Sequence, residues 1–194
     1  MLIKNDFEVA QSVEKVWRFF DDIPQVAACL PGAELTEDLG NDSYKGKVAV
    51  RMGPVKLQFA GTAAIKERDE AGKRIVVDAA GADEKGRGQA AMLLTAKLAP
   101  VGGGTKIEVA QDLQLSGAAA QYGRGMISDV TTVLMRDFAT NMQNRISAID
   151  RGVASDQIAT AAPASGFAIG VRAAWMALKR VARRFFLPYQ PHPS

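Results

Sequence analysis

The sequence predicts an α+β fold in which a curved antiparallel sheet lies against one long C-terminal helix. Two observations predict it. Residues 32–117 alternate apolar and polar with period two, and Gly53-Pro54, Ala71-Gly72 and Gly102-Gly103-Gly104 interrupt the alternation as short turns, the mark of an antiparallel meander. Residues 118–149 then carry Met126, Ile127, Val130, Val133, Leu134, Phe138 and Met142 at helical spacing, which suits a helix that covers the sheet's apolar face.

The elements follow in order. Residues 2–9 alternate well enough for a first strand. Ser12 offers an N-cap, and Val13, Val16, Trp17 and Phe20 give a short amphipathic helix. Residues 23–30 form a second short helix that Pro31-Gly32 stops. In the meander, Tyr44, Gly46, Val48, Val50 and Met52 face one way and Lys45, Lys47 and Arg51 the other. Residues 1–150 make one domain, 151–165 a linker rich in small residues, 166–187 a separate tail helix and 188–194 a Pro-rich end.

Charge is divided along the chain. The net charge is +3, but all five basic residues after position 157 lie in a stretch without acids, which leaves the body with 19 basic and 21 acidic residues. The basic character therefore belongs to the tail. The opening MLIKNDFEVAQS has no apolar leader core, Cys29 is the only cysteine, and no uncharged apolar run reaches membrane-spanning length. These features lead us to expect a cytoplasmic protein.

Several chemistries lose support. The sole histidine, His192, is the third residue from the end, so the body has neither a Ser-His-Asp or Cys-His nucleophilic site nor a His/Cys zinc site. Gly102-Gly103-Gly104-Thr105-Lys106 lacks phosphate-loop spacing and leads into a strand. Gly123-Arg124-Gly125 opens a helix without the third glycine or the βαβ context of a dinucleotide site. No metal ligands or catalytic residues are assigned.

The inward positions include many small residues, namely Gly61, Ala63, Ala79, Gly81, Ala90 and Ala96. Val50, Met52, Phe59, Met92, Leu94, Met126, Val130 and Leu134 either line an apolar pocket or pack together as core, with Gln111 and Tyr122 as hydrogen-bonding groups.

On a helical wheel Phe167, Val171, Ala174, Leu178, Val181, Ala182 and Phe185 fall on one face of the tail. Arg172, Lys179, Arg180, Arg183 and Arg184 lie opposite, with Trp175 and Phe186 near the boundary. This is the pattern of a helix lying in the plane of an anionic membrane surface, where each cation contributes about 1 kcal/mol. Docking on the body of the chain or on a protein partner is the alternative. Nucleic acid is not expected as a partner, because the body adds no basic face.

The stretches LPGAEL, GKVAVRMGPVKLQFAG, GRGQAAM, GGTKIEVAQDLQLSGAAAQYGRGMISDV and DFATNM, in this order, resemble the family of the carbon monoxide dehydrogenase G subunit. That family is a branch of the helix-grip (START-like, polyketide-cyclase-like) superfamily. The resemblance covers residues 1–149 and implies a helix-grip domain with an apolar cavity. It further implies a non-catalytic accessory that brings a molybdenum-containing carbon monoxide dehydrogenase, or a related molybdenum hydroxylase, to the inner face of the membrane. A quinone-like lipid, ubiquinone or menaquinone, is the expected transported ligand; no tightly bound cofactor is expected. A cyclase-type enzyme using Tyr122 or a buried carboxylate, and a docking protein with a filled core, are the alternatives.

Overall fold

A computed structural model describes residues 1–154, 157–158 and 160–161. Strand β1 (Leu2–Val9) leads through helices α1 (Val13–Asp21) and α2 (Ile23–Cys29) into six consecutive strands. These are β2 (Ala33–Gly40), β3 (Ser43–Met52), β4 (Val55–Asp69), β5 (Arg74–Asp83), β6 (Gln89–Val101) and β7 (Gly104–Leu115). A 3-10 helix (Gly117–Gln121) and helix α3 (Arg124–Asp150) follow.

The sheet has seven antiparallel strands in the order β1-β7-β6-β5-β4-β3-β2. Each consecutive pair from β2 to β7 is a hairpin, as the glycine-containing turns require, and β1 returns to close the far side against β7. Its edge strand β2 bears Glu34, Glu37 and Asp38 and two register shifts, features that discourage pairing with another chain.

Local chemistry fixes the helix ends. Ser12 Oγ accepts the Lys15 N–H at 3.4 Å to start α1, and Asp22 Oδ1 accepts the Gln25 N–H at 3.2 Å to start α2. Helix α3 stops in a Schellman turn: Gly152 is left-handed, its N–H donates to Ile149 O, and the Val153 N–H donates to Ala148 O.

The expectation of one helix over 118–149 needs correction. Residues Gly117–Gln121 form a separate 3-10 turn, Tyr122 is extended, and α3 begins only at Arg124. The left-handed Gly117 (φ +67°) sits where a Cβ would come within 2.2 Å of Arg87 O, so the chain turns sharply against the β5–β6 hairpin before the helix starts.

The sheet bends where side chains vanish. Gly61 and Gly81 face each other across β4 and β5, and a Cβ on Gly61 would meet Ala80 O at 2.0 Å. Only paired glycines allow the two backbones this approach. The bend wraps the inner face toward α3, which packs against β1 and α2 and reaches β3.

Candidate functional site

The inner face holds two separate apolar clusters. One joins Val9, α1, Cys29, Ile75, Ala96, Leu98, Ile107, Val109 and the C-terminal half of α3. The other joins Ile3, Met52, Leu57, Phe59, Ala119 and Ile127, with Val48, Val50, Leu113 and Tyr122 packed on it.

A seam runs between them, and strand alternation says what lies on it. On β1, Ile3 belongs to the second cluster and Phe7 packs on the first, so the inward residue between them is Asn5. On β7, Val109 belongs to the first and Leu113 packs on the second, which leaves Gln111 between. On β6 the same position falls to Met92, between Leu94 and Ala90. Ala63, Ala79 and Met92 face one another in register on β4, β5 and β6. From α3, Val130 and Leu134 belong to neither cluster.

The seam thus has a polar end and an apolar end. Gln111 is 4% exposed, and among the described residues its carboxamide has no hydrogen-bond partner. Asn5 Oδ1 lies 3.0 Å from Thr132 Oγ1, which also lies 2.9 Å from Ser128 O, while Asn5 Nδ2 is buried with no partner. One hydroxyl proton cannot serve both oxygens, so the Asn5 amide can equally be turned over to donate to Thr132. Either way one end of this carboxamide is buried and unmet. Buried polar groups without partners are rare in folded proteins and cost free energy. A groove of about 490 Å³ between β1 and α3 reaches Asn5, Phe7, Met135 and Ala139, and its remaining lining is polar, with Asp6, Glu8 and Arg136 among it. A second groove, of about 540 Å³, lies at the β6–β7 turn beside Ser12 and Lys73, away from the inner face.

The end of the domain that carries the second cluster is tied down by an ion pair. Arg87 donates to the Asp83 carboxylate through Nε and Nη2, both at 2.8 Å, and Nη2 also reaches Lys56 O at 2.8 Å. The Arg87 guanidinium, helped by the backbone N–H groups of Gln58, Arg87 and Lys85, holds the Asp83 carboxyl well below the usual carboxylate range despite its burial.

At the opposite end, Arg145 of α3 bonds Gln25 of α2 and donates to Ile158 O at 3.2 Å. The Ala161 N–H donates to Ala28 O at 2.8 Å, so the chain leaves the domain alongside α2. Cys29 is buried there, and burial, opposed by the Arg145 charge, pushes its thiol up to about 11.

The residues expected from the sequence are brought together in part. Val50, Met52, Phe59 and Tyr122 meet in the second cluster, and Leu94 packs on the first. Met92, Gln111, Val130 and Leu134 fall on the seam. Met126 is 44% exposed in the first turn of α3 and joins neither cluster. Sequence reasoning missed Asn5, whose signal was a polar residue at an inward position of LIKNDFEV, and it missed Asp83, Arg87 and Arg145. The tail positions, from Phe167 and Val171 through Arg172, Trp175, Leu178, Lys179, Arg180, Arg183, Arg184, Phe185 and Phe186, lie outside the described residues.

The family profile of CoxG, the G subunit of carbon monoxide dehydrogenase, matches residues 6–147. The chain belongs to this family. No curated protein sequence matches it. Solved structures show that this CoxG-family chain has the helix-grip fold of the START-like, polyketide-cyclase-like proteins. A conserved protein from Geobacillus kaustophilus superposes with a TM-score of 0.68 at 21% identity, covering 76% of this chain and 95% of its own. An aromatase/cyclase from Streptomyces sp. R1128 gives 0.56 at 14% identity, covering 78% and 96%. A Thermus thermophilus protein gives 0.55 at 13%, covering 77% and 99%. At these identities the likeness concerns the fold alone. The CoxG family takes its name from carbon monoxide dehydrogenase, which makes this chain a member of a dehydrogenase-associated family. Among the described residues no three His, Cys, Asp or Glu side chains come together as metal ligands do, and no helix is long and apolar enough to cross a membrane.

Proposed function

We propose that this chain is a non-catalytic accessory protein of an aerobic molybdenum-containing carbon monoxide dehydrogenase or a related molybdenum hydroxylase. It takes up a quinone-like lipid between its sheet and α3 and presents it to the enzyme. Its basic amphipathic tail holds it at the inner membrane surface, where the respiratory quinone pool lies. Family membership over residues 6–147 carries this reading.

Two features support the ligand. The seam is lined by apolar side chains over most of its length, and the groups that interrupt it, Asn5 and Gln111, are neutral amides. A carrier needs apolar walls with a few oriented polar groups, whereas acid–base catalysis needs a titratable group in contact with the substrate. The tail's five cations and its apolar face support the membrane part.

Mass spectrometry of an organic extract of the purified full-length protein tests the ligand. A quinone at near-stoichiometric amount is expected. Folded, liposome-binding protein without lipid would favour a docking role instead. Sedimentation with anionic liposomes, with and without residues 166–194, tests the tail. Unchanged association after truncation would remove the membrane role.

A further inference from the structure

We infer that the carboxamides of Gln111 and Asn5 form the polar end of the ligand site and hold the oxygens of the ligand's head group in either oxidation state. The inference rests on the carrier reading above and adds which residues recognise the ligand and why.

Three observations converge on these two side chains. Both lie on the seam between the apolar clusters, on neighbouring strands: Ile3 pairs with Gln111 and Asn5 with Val109, so the two amides are diagonal neighbours on the inner face. The Gln111 side chain makes no hydrogen bond among the described residues, although its amide atoms are not sealed off as Asn5 Nδ2 is. One atom of the Asn5 amide is buried without a partner, while its other end is fixed at Thr132. Two adjacent unmet amides at one end of an otherwise apolar seam constitute a half-made hydrogen-bond network. A ligand that brings two oxygens, or one oxygen with two lone pairs, completes it.

The chemistry of an amide selects the ligand class. A carboxylate side chain would only accept and an ammonium would only donate, whereas a carboxamide does both. A quinone presents carbonyl oxygens, which accept. Its quinol presents hydroxyls on the same oxygens, which donate and accept. Amides that turn about their terminal bond serve the two forms equally, without a charge that would favour one of them. The chain itself carries out no electron transfer here; it binds both forms.

The test uses the full chain with ubiquinone-1, with its quinol under anaerobic conditions, and with diphenylhexatriene, an apolar fluorophore without polar atoms. Gln111→Leu and Asn5→Leu should each weaken both quinone and quinol by about tenfold, the worth of one hydrogen bond, and leave diphenylhexatriene bound. Unchanged quinone and quinol affinity in both variants overturns the anchor while the carrier reading stands. Loss for only one oxidation state overturns the redox-neutral part. Should diphenylhexatriene binding fall too, leucine has closed the space, and Gln111→Ala, which removes the amide without filling, decides by the same criterion. Folded wild-type protein that binds neither quinone nor diphenylhexatriene overturns the carrier reading and the anchor with it.

Discussion

Arg87 grips Asp83 through two nitrogens, Nε on Oδ2 and Nη2 on Oδ1, each at 2.8 Å. The same carboxylate accepts the N–H groups of Gln58, Lys85 and Arg87, so one buried acid ties the β5–β6 hairpin to the start of β4. Asp83→Asn should therefore lower the melting temperature at neutral pH. The sign follows from the depressed folded-state pKa: the charge stabilises the protein above the ordinary carboxylate pKa, and that contribution is lost as pH falls through the lower folded value. The melting-temperature gap between wild type and variant should stay constant from pH 7 to about 5 and narrow at lower pH. A gap independent of pH across this range would mean that the hairpin is held by something other than the charge.

Replacing Gln111 should stabilise the ligand-free protein. Gln111 is 4% exposed and its amide makes no hydrogen bond among the described residues, so leucine of similar size adds apolar contact at the seam without breaking one. Gln111→Leu is expected to raise the unfolding free energy by about 1–2 kcal/mol in urea titrations of delipidated protein. A loss of stability would show that the amide is already satisfied.

Gly61→Ala should do the reverse. The new methyl would lie 2.0 Å from Ala80 O and 2.5 Å from the Gly81 Cα, both backbone atoms that cannot swing away. Destabilisation of about 1–3 kcal/mol is expected, the usual range for forced overpacking. Urea unfolding measures it, and a neutral result would mean that the sheet bend relaxes at little cost.

Cys29 should be inert in the native protein. It is 1% exposed, and its thiol is pushed up to about 11. An aromatic disulfide reagent at pH 8 should label it only on unfolding. Because the folded pKa is the raised one, the thiol's contribution to stability is intact below the ordinary thiol pKa and disappears as pH climbs toward 11. Rapid native labelling would contradict the burial.

Arg145→Met should loosen the exit of the chain from the domain. The guanidinium, 6% exposed, bonds Gln25 and Ile158 O, and charged hydrogen bonds of this kind contribute roughly 1.5–3 kcal/mol. Limited proteolysis should then cut faster around residues 157–161 than in wild type. Equal cleavage rates would mean that the Ala161–Ala28 bond is enough to hold the segment.

Much of the fold could be read from short-range signals. Ser12, Pro31-Gly32 and the glycine turns mark their elements because capping and left-handed backbone depend on a few neighbouring atoms. The break at Tyr122 could not be read, since Gly117–Gln121 is apolar enough to continue a helix and its turn is imposed by Arg87 across the sheet. The site divides in the same way. Gln111 stood out as a polar residue in an apolar strand, and Asn5 carried the same signal more weakly, between Ile3 and Phe7.

By itself, the sequence determined the order and alternation of the strands, the family, and the charge asymmetry between body and tail, since each is written in residue type and spacing. Tertiary structure alone decided that the inner face splits into two clusters, that Asn5 and Gln111 are diagonal neighbours on the seam between them, and that Met126 stays outside. Those outcomes depend on strand register and on the path of α3 across a bent sheet. Both are set by contacts between residues far apart in the chain, Ile3 with Gln111 and Gly61 with Gly81, which no local pattern encodes.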